Sequence, residues 1–181
     1  MILGLDISTS CTGWCILNTD GTLFKMGYIP LSKVDCLFSK AEVISKFLSD
    51  TNLFHEINHI FIEENLQAFR PGLSSAKTLI TLARFNGIVS YLCKKEFSMV
   101  PEYLNVNSAR KSLGIKIARG KKATKSTKDQ ILDWVSGELV DYAWPTKVLK
   151  SGKRKGQEVF EPGCYDMADS YVIAQAGKMN I

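Results

Sequence analysis

Long apolar runs, paired cysteines and histidines are all scarce in this 181-residue chain, and each scarcity excludes a class of protein. No apolar stretch approaches the ~20 residues of a membrane span. The opening MILGLDIS is strand-like and carries no basic residues ahead of its apolar core. Neither insertion nor secretion is therefore expected, and the cytoplasm is the expected setting. The five cysteines (Cys11, Cys15, Cys36, Cys93, Cys164) are odd in number, scattered, and include no C-x-x-C pair, which argues against a disulfide framework and against a zinc ribbon. There is no internal repeat and no low-complexity tract.

What is present suits one globular domain spanning 1–181. Apolar residues make up 45% of the chain and charged residues 23%, and the length suffices for a sizeable core. The net charge of +5 is unevenly spread: Arg110 to Lys155 holds 13 Lys/Arg against 4 Asp/Glu, while the remainder has 10 basic and 14 acidic residues. Within that segment Arg110, Lys111, Lys116, Arg119, Lys121, Lys122, Lys125 and Lys128 follow one another with no acid among them. A merely solvated face usually interleaves the two signs, so this run favours a polyanionic partner, nucleic acid above all.

The periodicities predict an antiparallel meander first: strands in MILGLDIS, GWCILN and TLFKMGYI, with a turn at Thr19-Asp20-Gly21. From Val34 to Leu48 apolar residues recur at helical spacing, HIFIEE returns as a strand, and Ser74 to Lys94 is a second long helix. MVPEYLNV is strand-like. A short helix follows near Ser108 to Leu113, then one from Thr127 to Leu139, and a last one begins near Tyr165. Lys147 to Gly163 is expected to be a basic hairpin or a mobile loop. The order implies an α/β fold, a mixed sheet with helices on its faces.

The stretch HEINHIFIEEN, from His55 to Asn65, carries two competing patterns. Its first five residues match H-E-x-x-H, which binds zinc only when both histidines lie one turn apart on a helix with a third ligand beyond. Here the pentapeptide lies between a helix end and a strand, and the chain has no third histidine. His55 and His59 are therefore expected at a loop and a strand edge. The second pattern is a buried strand ending in carboxylates at Glu63 and Glu64.

That second pattern gains weight from acids elsewhere. Asp6 sits among Leu3, Leu5 and Ile7 in an otherwise apolar strand, where an unpaired carboxylate is costly unless a partner or metal compensates it. Asp166 and Asp169 are three apart and share one face of the last helix. Singly, a strand-end ion pair or a first-turn acid would explain them. Together, acids from an N-terminal strand, a middle strand and a C-terminal helix can meet only around cations. Oxygen ligands select Mg²⁺, with Mn²⁺ as a substitute, and two such ions roughly 3.5–4 Å apart form a clamp used in phosphodiester hydrolysis.

LGLDISTSCTGWCIL, FIEENL and YDMADSYVIA resemble, in order and spacing, the motifs of the RuvC-like Holliday junction resolvases of the ribonuclease H superfamily. The resemblance runs from the first strand to the final helix. It implies a ribonuclease H-like mixed sheet flanked by helices and a crossover junction endodeoxyribonuclease acting on four-way junctions and other branched DNA. It further implies metal ligation by Asp6, Glu63, Asp166 and Asp169, with Glu63 preferred to Glu64. Lys128 in TKDQIL resembles the family's catalytic lysine, with Lys125 as its substitute. SARKSLG resembles the family's basic turn, which implies phosphate contacts at Arg110 and Lys111, and Lys121, Lys122 and Lys125 extend that surface. In some members an aromatic shortly after the glutamate enters the junction. Phe69 follows at a greater distance, and a packed core side chain is its other reading. Lys147 to Gly163 departs from the bacterial pattern and more resembles phage-encoded relatives.

Two other classes stay open at this stage. G-x-D-x-S-T-S also resembles the phosphate loop of actin-like ATPases, although that fold needs a second similar domain. A non-catalytic DNA-binding module would explain the basic segment but leave the acids idle. For a junction nuclease, the two-fold symmetry of the substrate implies a homodimer, with the helix from Ser74 to Lys94 as candidate interface or, equally, as a buried element of one subunit.

Overall fold

The computed structural model describes residues 1–64, 75–120 and 123–181. Its main sheet has the order β3-β2-β1-β4-β5. β1 (Ile2–Ile7), β2 (Cys11–Leu17) and β3 (Leu23–Pro30) form the antiparallel meander, while β4 (His59–Glu63) and β5 (Glu102–Leu104) run parallel to β1. α1 (Leu37–Phe54) and α2 (Ala76–Phe97) cover one face, and α3 (Val106–Ser112), α4 (Thr127–Glu138) and α5 (Gly163–Lys178) cover the other. Among the described residues, β6 (Thr146–Val148) and β7 (Glu158–Phe160) pair with each other and not with the main sheet. This is the mixed sheet flanked by helices that the element order implied.

Successive strand residues point to opposite faces, so one short strand feeds two cores. Leu3, Leu5 and Ile7 of β1 pack with Ile44 and Leu48 of α1 and Phe85 and Val89 of α2. The alternate residues face α5, where Ile2, Cys15, Leu17 and Phe61 pack with Met167, Val172 and Ile173. Nearly every face of α5 is buried, as befits a helix with scattered apolar residues rather than a stripe.

Some boundaries differ from the periodicity. α1 runs on to Phe54, and within this extension Thr51, polar yet buried, satisfies its hydroxyl by donating to the Phe47 carbonyl at 2.8 Å. α5 begins at Gly163, two residues before Tyr165. α2 buries Phe85, Val89 and Cys93 within the subunit, while Ile80 and Tyr91 are 53% and 65% exposed. Among the described residues no helix is long and apolar enough to cross a membrane.

Candidate active site

The site begins with how closely α5 lies on the sheet. A Cβ on Gly4 would stand 2.6 Å from the Ser170 carbonyl oxygen, and one on Gly13 would stand 1.9 Å from that of Asp166. Only glycine permits this approach. Gly13 is also the cross-strand partner of Asp6. The same contact that seats α5 therefore brings the start of that helix over the end of β1. Asp6 has the parity of Gly4 and faces α5, which explains an acid in an apolar strand.

β4 supplies the next acid by the same rule. Its parallel register with β1 ends at Leu5 opposite Ile62, so Asp6 and Glu63 are the next residues along two neighbouring strands. Phe61 faces α5, where its ring occupies the space a Cβ on Gly177 would need, and Glu63, two residues on, shares that face. Glu64 has the opposite parity, and its backbone N–H donates to the Leu104 carbonyl at 2.9 Å.

Asp166 lies in the first turn of α5, and Asp169 one turn on is only 5% exposed. Each has a cation beside it. The Arg110 guanidinium donates to Asp169 Oδ1 at 3.0 Å, and Lys128 Nζ stands 3.6 Å from Asp166 Oδ1. Lys128 is placed by α4, whose start is fixed by a capping box between Ser126 and Asp129. Asp129 also accepts a hydrogen bond from the Tyr165 hydroxyl at 2.8 Å, tying the starts of α4 and α5 together.

The electrostatics show that the acids share one field. Burial pushes Asp6 well above the usual carboxylate range, and Glu63, Asp169 and Asp166 push in the same direction. Burial and then Asp169 raise Glu63 to about 7, against the pull of Arg110 and Lys128. Burial also raises Asp169 despite its Arg110 partner. Burial alone would lower Lys128, but Asp166, Asp6 and Asp169 outweigh it and hold its ammonium charged to higher pH. Partly buried carboxylates short of positive charge either protonate or gather cations.

The structure thus brings Asp6, Glu63, Asp166, Asp169 and Lys128 together. Arg110, read from sequence as a phosphate contact, is turned inward on Asp169 with its side chain 14% exposed. Lys111 is exposed on the wall of a pocket of about 380 Å³ whose lining also includes Arg110, Lys116 and Arg119. Lys125 is paired with Asp133 at 2.6 Å on the surface. Phe69, Lys121 and Lys122 lie outside the described residues. His55 caps the end of α1 and His59 opens β4, so the H-E-x-x-H pentapeptide has no helix on which to hold zinc.

One neighbour escaped the sequence reading. Burial first, and then Asp166 beside it, hold the Cys11 thiol above its ordinary pKa. The available signal was parity: Cys11 is two residues before Gly13 and so faces α5.

Among the described residues no three His, Cys, Asp or Glu side chains stand in a ready coordinating arrangement. Arg110 and Lys128 provide the positive charge at two of the four carboxylates. The donor set nonetheless fits a hard divalent ion: carboxylate oxygens from three elements, with the ionised forms of Asp6, Glu63 and Asp169 disfavoured first by burial.

No protein-family model matches the chain. A crossover junction endodeoxyribonuclease RuvC of Aliarcobacter butzleri is 30% identical over 134 residues, covering 72% of this chain and 77% of that protein. Among solved structures, the RuvC of Thermus thermophilus in complex with a Holliday junction substrate superposes with a TM-score of 0.62 at 14% identity, covering 97% of this chain and 90% of that one. The yeast mitochondrial Holliday junction resolvase superposes with a TM-score of 0.54 at 18% identity, covering 98% and 77%. At these identities the structural likeness shows the shared fold, while the bacterial relative shows the family. The chain belongs to the RuvC family of crossover junction endodeoxyribonucleases.

Proposed function

We propose that this protein is a divalent-metal-dependent endonuclease that cuts four-way DNA junctions, and other branched DNA, by phosphodiester hydrolysis. The observation that carries the reading is the convergence of Asp6 from β1, Glu63 from β4, and Asp166 and Asp169 from α5 on one side of the sheet. In this reading the four carboxylates hold Mg²⁺, or Mn²⁺ in its place, as two ions. The chemistry such ions supply is charge neutralisation at the attacking and departing oxygens of the scissile phosphate.

The chain's own residues do the rest. Lys128, 59% exposed and 3.6 Å from Asp166, places a mobile positive charge at the rim, where charge develops on the phosphate. Arg110 fixes the orientation of Asp169 through one nitrogen of its guanidinium and also lines the pocket that holds Lys111. Lys111 and Lys125, with Lys121 and Lys122, supply the basic surface for the DNA arms. The single domain 1–181 acts in the cytoplasm as a homodimer, presenting two sites to the two opposed strands, with the exposed outer face of α2 as the interface.

The test is a synthetic four-way junction incubated with the protein in Mg²⁺. Paired, symmetric nicks are expected, lost on chelation. Tight junction binding without any cut would leave only a DNA-binding module.

A further inference from the structure

The β6–β7 hairpin stands apart from the main sheet. It is a hydrogen-bonded ribbon. Thr146 faces Phe160, Lys147 faces Val159, and Val148 faces Glu158. Beyond the strands Leu149 and Gly156 continue the pairing, with Gly156 N–H donating to the Leu149 carbonyl at 2.8 Å. Gly152 and Gly156 take φ of +80° and +86° to close the turn.

Its tip, KSGKRKGQ from Lys150 to Gln157, has no apolar side chain and no acid. Lys147, Lys150, Lys153, Arg154 and Lys155 are all exposed. Among the described residues none of the five is within 4.0 Å of a carboxylate, whereas Arg110, Lys125 and Lys128 each have an acidic partner. A lone two-stranded ribbon is marginal in water, and five like charges weaken it further. Its base is held firmly all the same. Trp144 packs edge-on against Phe160 and Tyr142, with centroids 6.0 and 5.2 Å apart. Tyr142 donates to the Met26 carbonyl at 3.1 Å, Cys164 donates to the Pro145 carbonyl at 3.2 Å, and the Tyr28 hydroxyl donates to Glu161.

These anchors bring one tip residue, Arg154, to the start of α5. Tyr165, adjacent to Asp166, lines a groove of about 490 Å³ together with Thr146, Arg154, Glu158, Val159 and Phe160. Its hydroxyl meanwhile reaches Asp129 in the first turn of α4. The start of α5 is therefore flanked by Lys128 on the α4 side and by the hairpin on the other.

We propose that the β6–β7 hairpin is a second phosphate clamp, gripping the backbone of a duplex arm of the branched DNA next to the scissile strand. The proposal rests on the junction-nuclease reading for the identity of the DNA. Exposed, unpartnered cations on a tip without apolar side chains suit a phosphate backbone, not an apolar partner surface.

The test replaces Lys150, Lys153, Arg154 and Lys155 together by Gln, all at exposed positions, with the thermal melt confirming an intact fold. Binding to a labelled synthetic four-way junction is measured in EDTA across a salt series, and single-turnover cleavage at saturating junction in Mg²⁺. The junction Kd is expected to rise on the order of tenfold or more, and the slope of log K on log salt to fall by about 0.9 for each engaged cation. The cleavage rate at saturation should stay within about twofold of the parent, as for a grip that contributes nothing to charge stabilisation at the reacting phosphate. A parent-like Kd and slope would overturn the clamp, and so would a rate loss at saturation as large as the affinity loss. Should the parent itself fail to cut the junction while the slope still falls in the variant, the clamp stands and the nuclease reading fails.

Discussion

The two faces of the main sheet are made by the same strands and solve opposite problems. Toward α1 and α2, β1 presents Leu3, Leu5 and Ile7, and the gap between layers is filled by large side chains. Toward α5 it presents Ile2, Gly4 and Asp6: Ile2 joins a second apolar core, while at Gly4 and at Gly13 of β2 the gap is removed rather than filled, by glycines that let the helix backbone rest on the sheet. The first face is insulated and apolar. The second brings carboxylates from three elements close enough to raise one another's pKa values. Close approach, more than side-chain volume, is what builds the site.

The largest break in this comparison should come from Asp6→Asn. As a proposed metal ligand, Asp6 should supply several kcal/mol of transition-state stabilisation, so junction cleavage should fall on the order of a hundredfold or more while junction Kd stays near the parent value. Cleavage at a tenth of the parent rate would contradict the ligand assignment.

Next comes a matched pair across the sheet. Leu5→Ala opens a cavity in the insulated core and should cost about 2–5 kcal/mol of stability, leaving the turnover of the folded fraction near normal. Gly13→Ala forces a Cβ against the Asp166 carbonyl and should cost about 1–3 kcal/mol, yet lower turnover sharply by displacing Asp166 from Asp6. Chemical denaturation and single-turnover cleavage at a temperature where both are folded check this. Equal turnover in the two variants would erase the distinction between the faces.

A smaller effect is expected of Lys128→Ala. It should reduce the cleavage rate more than the affinity, since the ammonium stands at Asp166 rather than at a distant phosphate. Equal losses would make Lys128 a tether.

The smallest concerns pH. The folded-state pKa of Glu63 is raised from 4.5 to about 7, so in metal-free protein the folded state binds more protons than the unfolded state across that window. This group's contribution to stability is therefore present below about 4.5 and lost as pH rises through about 7. The Tm without metal should decline over that range, and Mg²⁺ should recover most of it at the upper end. Leu5→Ala should keep the same pH slope, and Glu63→Gln should reduce it, leaving the part that Asp6 and Asp169 contribute.

Much of this was legible in the sequence, for identifiable reasons. Apolar strand-like runs announced β1 and β2, alternation announced β4, helical spacing announced α1 and α4, and an acid among Leu3, Leu5 and Ile7 announced a partner or a metal. The inward turn of Arg110 was not legible, because it depends on Asp169, 59 residues away in sequence, rather than on its basic neighbours. Nor was the part played by Gly13, since a glycine in a strand signals close approach without naming what approaches. The anchoring of the hairpin was equally hidden, because Trp144 finds Phe160 and Tyr142 finds Met26 only after the chain has folded.

The most direct measurement is Mn²⁺ binding by isothermal titration to the parent and to Asp6→Asn, Glu63→Gln, Asp166→Asn, Asp169→Asn and Glu64→Gln at one pH. Each of the first four variants should bind at least about tenfold more weakly than the parent, as expected for loss of a ligand where even an outer-shell partner is worth 10–100-fold. Glu64→Gln, on the other parity of β4, should bind like the parent. Undiminished binding in the four, or a loss confined to Glu64→Gln, would contradict the claim that these acids form one metal site on the α5 face.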